Sequence, residues 1–283
     1  MATPMSADQF LAALRAEGVK VSEHAGWRTH NRAGHGAWGP VNGVMIHHTA
    51  GAAPGDGDVV WSGRSDLPGP LAHGYAAKSG VITMTANGRA NHAGGGDPKV
   101  LAAVVNESYT TAPPAPHYHD GSSGAVDGNA HFYGLEISNL GNGKDPYPDV
   151  QYEAAVKWAA AICRHHGWSA KSVIGHKEWS DWKSDPSFSI QSFRGYVAAC
   201  LAAKPGVWRL APATTPTAPK EAAVPTADQM TASLYNDLMK IKRVDDGEQH
   251  AGGYFLAMTL QAVLDLTEKV EDLTAEVAAL KAS

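Results

Sequence analysis

The sequence predicts an α/β domain followed by a linker and a helical tail, and three observations carry that reading. Short, apolar, partly β-branched runs at 44–49, 132–138 and 172–176 alternate along the chain with segments of helical period at 6–18, 149–166 and 189–203. Composition then shifts to Pro, Ala and Thr from Leu210 to Lys220, the signature of an extended linker. Beyond it, Leu256, Val263, Val270 and Val277 alternate with Thr259, Leu266, Leu273 and Leu280 at heptad spacing. A chain of 283 residues has room for one sizeable core and an appendage.

Taken in order, Ser6 followed by Gln9 is a capping-box pattern, and Phe10, Leu11 and Leu14 recur at helical spacing until Gly18. After a Gly-, His- and Trp-rich loop from His24 to Pro40, Val44-Met-Ile-His-His-Thr49 reads as a buried strand ending in two histidines. A second strand-like region spans Gly74 to Thr85. In Phe132-Tyr-Gly-Leu-Glu-Ile-Ser138, Tyr133, Leu135 and Ile137 share one face, so Glu136 points to the other. The stretch from Tyr109 to Asn129, rich in Pro, Gly, Ser, His and Asp, reads as a long surface loop. Asp149 to His166 places Tyr152, Val156, Ala159, Ala160 and Cys163 on one helical stripe, and Gly167 stands where it ends the helix. Ser172 to His176 makes a brief strand, and a helix over about Ser189 to Ala203 closes the unit.

The formal charge of −5 gives no electrostatic reason to propose nucleic acid or an anionic membrane surface as partner. Only two cysteines occur, Cys163 and Cys200, both in apolar helical stretches, which favours buried thiols over a disulfide. The N-terminal residues lack a basic start followed by a long apolar run, and no stretch reaches the roughly 18 apolar residues of a membrane span. The expectation is a protein made in the cytoplasm with no signal peptide and no membrane insertion.

The chemistry lies among 14 histidines. His47 ends a core strand, Glu136 faces away from the apolar side of another, and His176, Lys183 and Asp185 fall in one strand-to-loop segment. A hydrolytic zinc site takes three protein ligands, keeps a position for water, and has a nearby carboxylate that moves the proton. His47, His176 and Asp185 suit the first role and Glu136 the second, although Asp181 lies in the same loop as Asp185 and spacing alone leaves both open. His48 alternates to the face opposite His47 and reads as packing. His117 and His119 have chelating spacing but sit in a loop of the solvated type. His165 and His166 fall at a helix C-terminus, where cations complement the dipole. His92, in Asn91-His-Ala-Gly-Gly-Gly96, divides between substrate contact and loop scaffolding, and Trp27, Trp38 and Trp179 between core packing and sugar contact.

The motifs Val44-Met-Ile-His-His-Thr-Ala50, Tyr133-Gly-Leu-Glu-Ile-Ser-Asn139, Ile174-Gly-His-Lys-Glu-Trp179 and Lys183-Ser-Asp-Pro186 together resemble the zinc N-acetylmuramoyl-L-alanine amidases, a family related to peptidoglycan recognition proteins and to many phage endolysins. The resemblance covers about Trp27 to Val197. It implies a central mixed β-sheet flanked by helices, with Zn2+ held by His47, His176 and Asp185. It further implies hydrolysis of the amide between N-acetylmuramic acid and L-alanine in bacterial peptidoglycan. Lys183 matches the residue that stabilises the oxyanion. Members differ over whether a Glu or an earlier Tyr activates water; here Glu136 is present, the earlier strand reads Leu71-Ala-His-Gly-Tyr75, and His73 is placed where the Tyr stands. His73 and His92 are accordingly expected at the substrate.

These readings divide the chain into a catalytic domain over 1–204, a linker over 205–225 and a helical tail over 226–283. The tail is expected to form a coiled-coil homo-oligomer, a dimer by its Val and Leu seam, with a single docked helix as the alternative. An endolysin is expected to pass from the host cytoplasm to the wall through a holin-type pore and lyse the host. A noncatalytic peptidoglycan receptor, and a zinc hydrolase cutting within the stem peptide, are the competing functions.

Overall fold

The computed structural model describes residues 2–51 and 55–210. Of the linker expected over 205–225, the part beyond residue 210 lies outside the described residues, as does the coiled-coil tail expected over 226–283.

Helix α1 (Ala7–Ala16) begins at the capping box: Gln9 N donates to Ser6 Oγ at 3.3 Å and Ser6 N donates to Gln9 Oε1 at 2.9 Å. Its apolar stripe of Phe10, Leu11 and Leu14 is buried, a contribution of roughly 1.5–3 kcal/mol per side chain.

Among the described residues the strands are β1 (Lys20–Glu23), β2 (Gly43–His48), β3 (Gly74–Ala76), β4 (Val81–Met84), β5 (Gly95–Gly96), β6 (Val126–Asp127), β7 (Phe132–Ile137) and β8 (Val173–Gly175). Six of them form the central sheet in the order β1-β4-β3-β7-β2-β8, and β5 pairs with β6 apart from it. Strands β3, β7, β2 and β8 run parallel, β4 runs antiparallel to β3, and β1 is parallel to β4, so the sheet is mixed. The region read as one strand from 74 to 85 is thus two, broken by a turn in which Gly80 takes φ +77°, a conformation that a side chain disfavours.

The alternation expected in β7 sets the layers. Tyr133, Leu135 and Ile137 join Val44 and Ile46 of β2 in the larger core, while Met45 and Phe132 face a second cluster with Ile174 and Trp179. The register places Val44 beside Tyr133, Ile46 beside Leu135 and His47 beside Glu136. A one-residue slip of either strand would turn its functional side chain into the large core, so burial of that core secures the site's register.

On the larger-core side, α4 (Asp149–His166) buries Val156, Trp158, Ala159, Ala160, Ile162 and Cys163 and ends at Gly167, which is left-handed at φ +72°. Helix α5 (Ile190–Ala202), capped by Ser189, packs on α4. Arg164 of α4 donates to both oxygens of Glu17 at 2.8 and 3.2 Å, tying the end of α1 to α4. On the other side, α3 (Pro98–Val105) starts at an Asp97 cap and sets Val100 and Val104 into the second cluster. Helix α2 (Asp56–Ser62) lies beside the cleft described below.

Cys163 and Cys200 are free and buried. Trp27 and Trp179 are core residues, and Trp38 stacks on His73. His166 corrects the dipole expectation: it stacks on Trp168, and burial lowers its pKa to about 4, leaving it neutral at the helix end. Packing also continues past 204, since Trp208 rests against the core and Leu210 N donates to Glu153 Oε2 at 2.9 Å. No helix among the described residues is long and apolar enough to cross a membrane.

Candidate metal centre

Three side chains converge at the C-terminal ends of β2 and β8. His47 comes from β2 itself; His176 opens a short 3-10 turn directly after β8; Asp185 follows in the next loop. His47 Nδ1 lies 2.9 Å from His176 Nδ1 and 3.1 Å from Asp185 Oδ2, and His176 Nδ1 lies 3.3 Å from the same oxygen. These atoms form a group of metal-ligating type. Asp181 points elsewhere: its Oδ1 accepts from His119 Nδ1 at 2.9 Å, so of the two loop aspartates only Asp185 joins the cluster.

The chemistry of the donor set suits a cation. His176 Nε2 sits 3.1 Å from the Ala93 carbonyl oxygen, which only accepts, so Nε2 is the donor and Nδ1 is the nitrogen turned to the cluster. That Nδ1 faces an Asp185 carboxylate oxygen at 3.3 Å, a contact of two electron-pair donors that a proton or a metal ion between them makes favourable. Two imidazole nitrogens and one carboxylate oxygen leaving room for a fourth ligand match a catalytic zinc site.

The turn that presents His176 is braced from behind. Glu178 Oε2 accepts from Gly175 N at 3.2 Å, and Arg194 of α5 donates to both Glu178 oxygens at 2.6 and 2.9 Å and to the Val173 carbonyl at 3.1 Å. Sequence reasoning missed this pair of a buried arginine and a partly buried glutamate; a charged residue inside the otherwise apolar stripe of α5 was the available signal.

Beside the ligands is a cleft of about 310 Å³ whose wall includes Glu136, Asp56, Trp182 and Lys183. Glu136 stands next to His47 across the β2–β7 ladder, and its Oε2 is buried without a hydrogen-bond partner. Burial, reinforced by the negative charge of Asp185, raises its carboxyl pKa well above the ordinary value, with Lys183 opposing. Lys183 is exposed at the rim.

The tyrosine of the earlier strand is Tyr75, paired with Glu136 in register. Its hydroxyl donates to Asp56 Oδ1 at 2.7 Å, and Asp56 Oδ2 also accepts from Ser138 Oγ at 2.6 Å and Thr49 Oγ1 at 3.1 Å. Burial pushes the phenol up to about 12, so Tyr75 is held as a proton donor to Asp56 rather than as a base.

His73 departs from the expected substrate contact, whereas His92 lines the cleft beside His47. His73 is fully buried: its Nε2 donates to the Gly88 carbonyl at 2.8 Å and its Nδ1 accepts from Gly134 N at 2.9 Å, leaving no atom for a ligand. His92 also spends both ring nitrogens inside the protein, on Phe132 O at 2.9 Å and His47 Nε2 at 3.0 Å. His48 is half-buried against Tyr147. An aromatic the sequence reading passed over is Trp182, 69% exposed at the cleft and stacked on His119 with ring centroids 3.5 Å apart.

The parts of a hydrolytic metal centre, three convergent donors and an unpartnered buried carboxylate, thus stand together on a mixed α/β sheet. Residues 37–188 match the family model of N-acetylmuramoyl-L-alanine amidase, Amidase_2, over more than half of the chain, and the protein belongs to that family. Comparison with curated proteins found no sequence match. Among solved structures, the chain is similar to the endolysin N-acetylmuramoyl-L-alanine amidase LysCS from Clostridium intestinale (17% identity, covering 62% of this chain and 93% of that one, TM-score 0.39). It is also similar to a mutant endolysin from Bacillus subtilis (18% identity, 63% and 99% covered, TM-score 0.41). A third is the amidase AmiD from E. coli in complex with anhydro-N-acetylmuramic acid-L-Ala-D-gamma-Glu-L-Lys (15% identity, 58% and 60% covered, TM-score 0.40).

Proposed function

We propose that the protein is a zinc-dependent hydrolase of the amide between N-acetylmuramic acid and L-alanine in bacterial peptidoglycan, with His47, His176 and Asp185 as ligands. The observation that carries the reading is the meeting of two imidazole Nδ1 atoms and a carboxylate oxygen within 2.9–3.3 Å, beside a buried carboxylate with a free oxygen. Zinc, when bound, supplies Lewis acidity to the scissile carbonyl and acidifies water.

The chain's own residues do the rest. Glu136, whose proton affinity is raised by burial, takes a proton from the attacking water and returns it to the departing alanine nitrogen. Lys183, at the rim, offsets the negative charge that develops on the carbonyl oxygen, a role worth roughly 3–4 kcal/mol at comparable sites. Tyr75, Thr49 and Ser138 hold Asp56 in place under the cleft wall and take no proton in the reaction. In a phage setting the activity acts as an endolysin, detaching stem peptides after release from the host cytoplasm, and it ends in lysis.

The test is zinc content measured together with mass spectrometry of fragments released from purified walls. One zinc per chain with intact stem peptides beginning at L-alanine is the expected result. Shortened muropeptides would move the cut into the stem, and a metal-free, inactive protein would make the chain a binding module.

A further inference from the structure

A third imidazole, His92, stands behind His47 and reaches it through the ring nitrogen that does not face the ligand cluster. His92 Nε2 lies 2.9 Å from the Phe132 carbonyl oxygen. A carbonyl only accepts, so the ring's proton is on Nε2 and its Nδ1 presents a lone pair. That lone pair points at His47 Nε2 from 3.0 Å, with the two rings nearly perpendicular at 87°. His47 Nε2 must therefore carry the proton and donate it. A neutral imidazole has only one, which leaves His47 Nδ1 bare and facing His176 Nδ1 and Asp185 Oδ2.

The seat of His92 is built. The Oδ1 of Asn129 accepts from the backbone N–H groups of His92 at 2.8 Å, Ala93 at 2.7 Å and Gly94 at 3.4 Å, which pins the loop. Strand β7 supplies both the Phe132 carbonyl and the space for the ring: a Cβ on Gly134 would come within 2.6 Å of His92 ring atoms. The ring is 8% exposed. Filling space would need only an aromatic of this size; the carbonyl at one nitrogen and His47 at the other need a donor and an acceptor.

We infer that His92 is a positioning residue that selects the Nε2–H form of His47, keeps His47 Nδ1 as an electron-pair donor and thereby sets the zinc affinity of the site. The inference rests on the zinc reading above. It assigns His92 to the metal rather than to the substrate.

The test uses the full chain and measures the zinc dissociation constant by competition with a chromophoric chelator. His92→Phe keeps ring size but offers no acceptor, and is expected to weaken zinc binding by about 10–100-fold. His92→Asn places an amide oxygen near the position of Nδ1 and is expected to stay within about threefold of the parent, since acceptance from His47 is the property that counts. Equal affinity for His92→Phe and the parent, or equal losses in both variants, would overturn the inference. A parent protein that binds no zinc would instead overturn the proposed function. Should His92→Phe fail to fold, nitrogen-15 spectra of the zinc-loaded parent decide the matter. The expected signature is a proton on Nε2 of both His47 and His92, with the His47 proton slow to exchange with water. A proton on His92 Nδ1, or a rapidly exchanging His47 proton, would refute it.

Discussion

Replacing Glu136 by Gln separates what the carboxylate does for catalysis from what it costs the fold. Its Oε2 is buried with no partner, and burial followed by the charge of Asp185 holds its pKa well above the reference 4.5. In the metal-free protein the folded state therefore keeps a proton that the unfolded state has released. Stability falls by about 1.4 kcal/mol for each pH unit above 4.5, until the folded pKa is passed and the loss levels off. Glutamine has the same shape and no proton to lose, so Glu136→Gln without metal should match the parent near pH 4 and exceed it increasingly towards neutrality. The same change removes the general base, and hydrolysis should fall by about 10²–10⁴-fold, equivalent to roughly 3–5.5 kcal/mol. Urea denaturation of the chelated proteins across pH, paired with stem-peptide release by the zinc-loaded proteins, reads both effects. A stability difference that does not change with pH would refute the raised pKa, and activity within threefold of the parent would remove Glu136 from the mechanism.

Other outcomes follow from the same geometry. Lys183→Ala should lower kcat by about 10²–10³-fold while leaving zinc content and melting temperature unchanged, because the side chain is exposed and forms no ion pair among the described residues; kinetics beside metal analysis check it. Arg194→Leu strands Glu178 without its bidentate partner and should cost roughly 3–5 kcal/mol. Calorimetry should show the loss, and zinc binding should weaken as the His176 turn loosens. For the tail, light scattering of the full chain is expected to give a dimer, and Leu266→Glu with Leu273→Glu to give a monomer; a monomeric parent would favour the docked-helix reading.

Much of this protein could be read from local pattern. The capping box at Ser6 and Gln9, the alternation from Phe132 to Ile137 and the stripe from Asp149 to Gly167 each state a local preference that burial then reinforces. The positions of His47, Glu136, His176 and Asp185 were legible for a related reason: each belongs to a short motif whose neighbours declare a strand end or a turn. Partners distant in sequence were not legible. Glu178 meets Arg194, and Asp56 meets Tyr75 and Ser138, only because the sheet order brings them together. His73 is expected at the substrate because the resemblance sets it where a tyrosine stands, and His92 because its glycine-rich turn can bring it to the cleft. The bonds of His73 to Gly88 and Gly134 place it inside instead, while those of His92 to Phe132 and His47 fix its ring at the cleft behind His47.

The amino-acid sequence by itself determined the layers and the donor types: period-2 and helical spacing specify which faces are apolar, and side-chain chemistry specifies which atoms can bind a cation. Which nitrogen of His47 faces the cluster, which of two loop aspartates joins it, and which histidine meets its other nitrogen were decided by the tertiary structure alone. An imidazole's proton goes where the surrounding acceptors direct it. Those acceptors, the Phe132 and Ala93 carbonyls, come from segments that meet only in the folded chain.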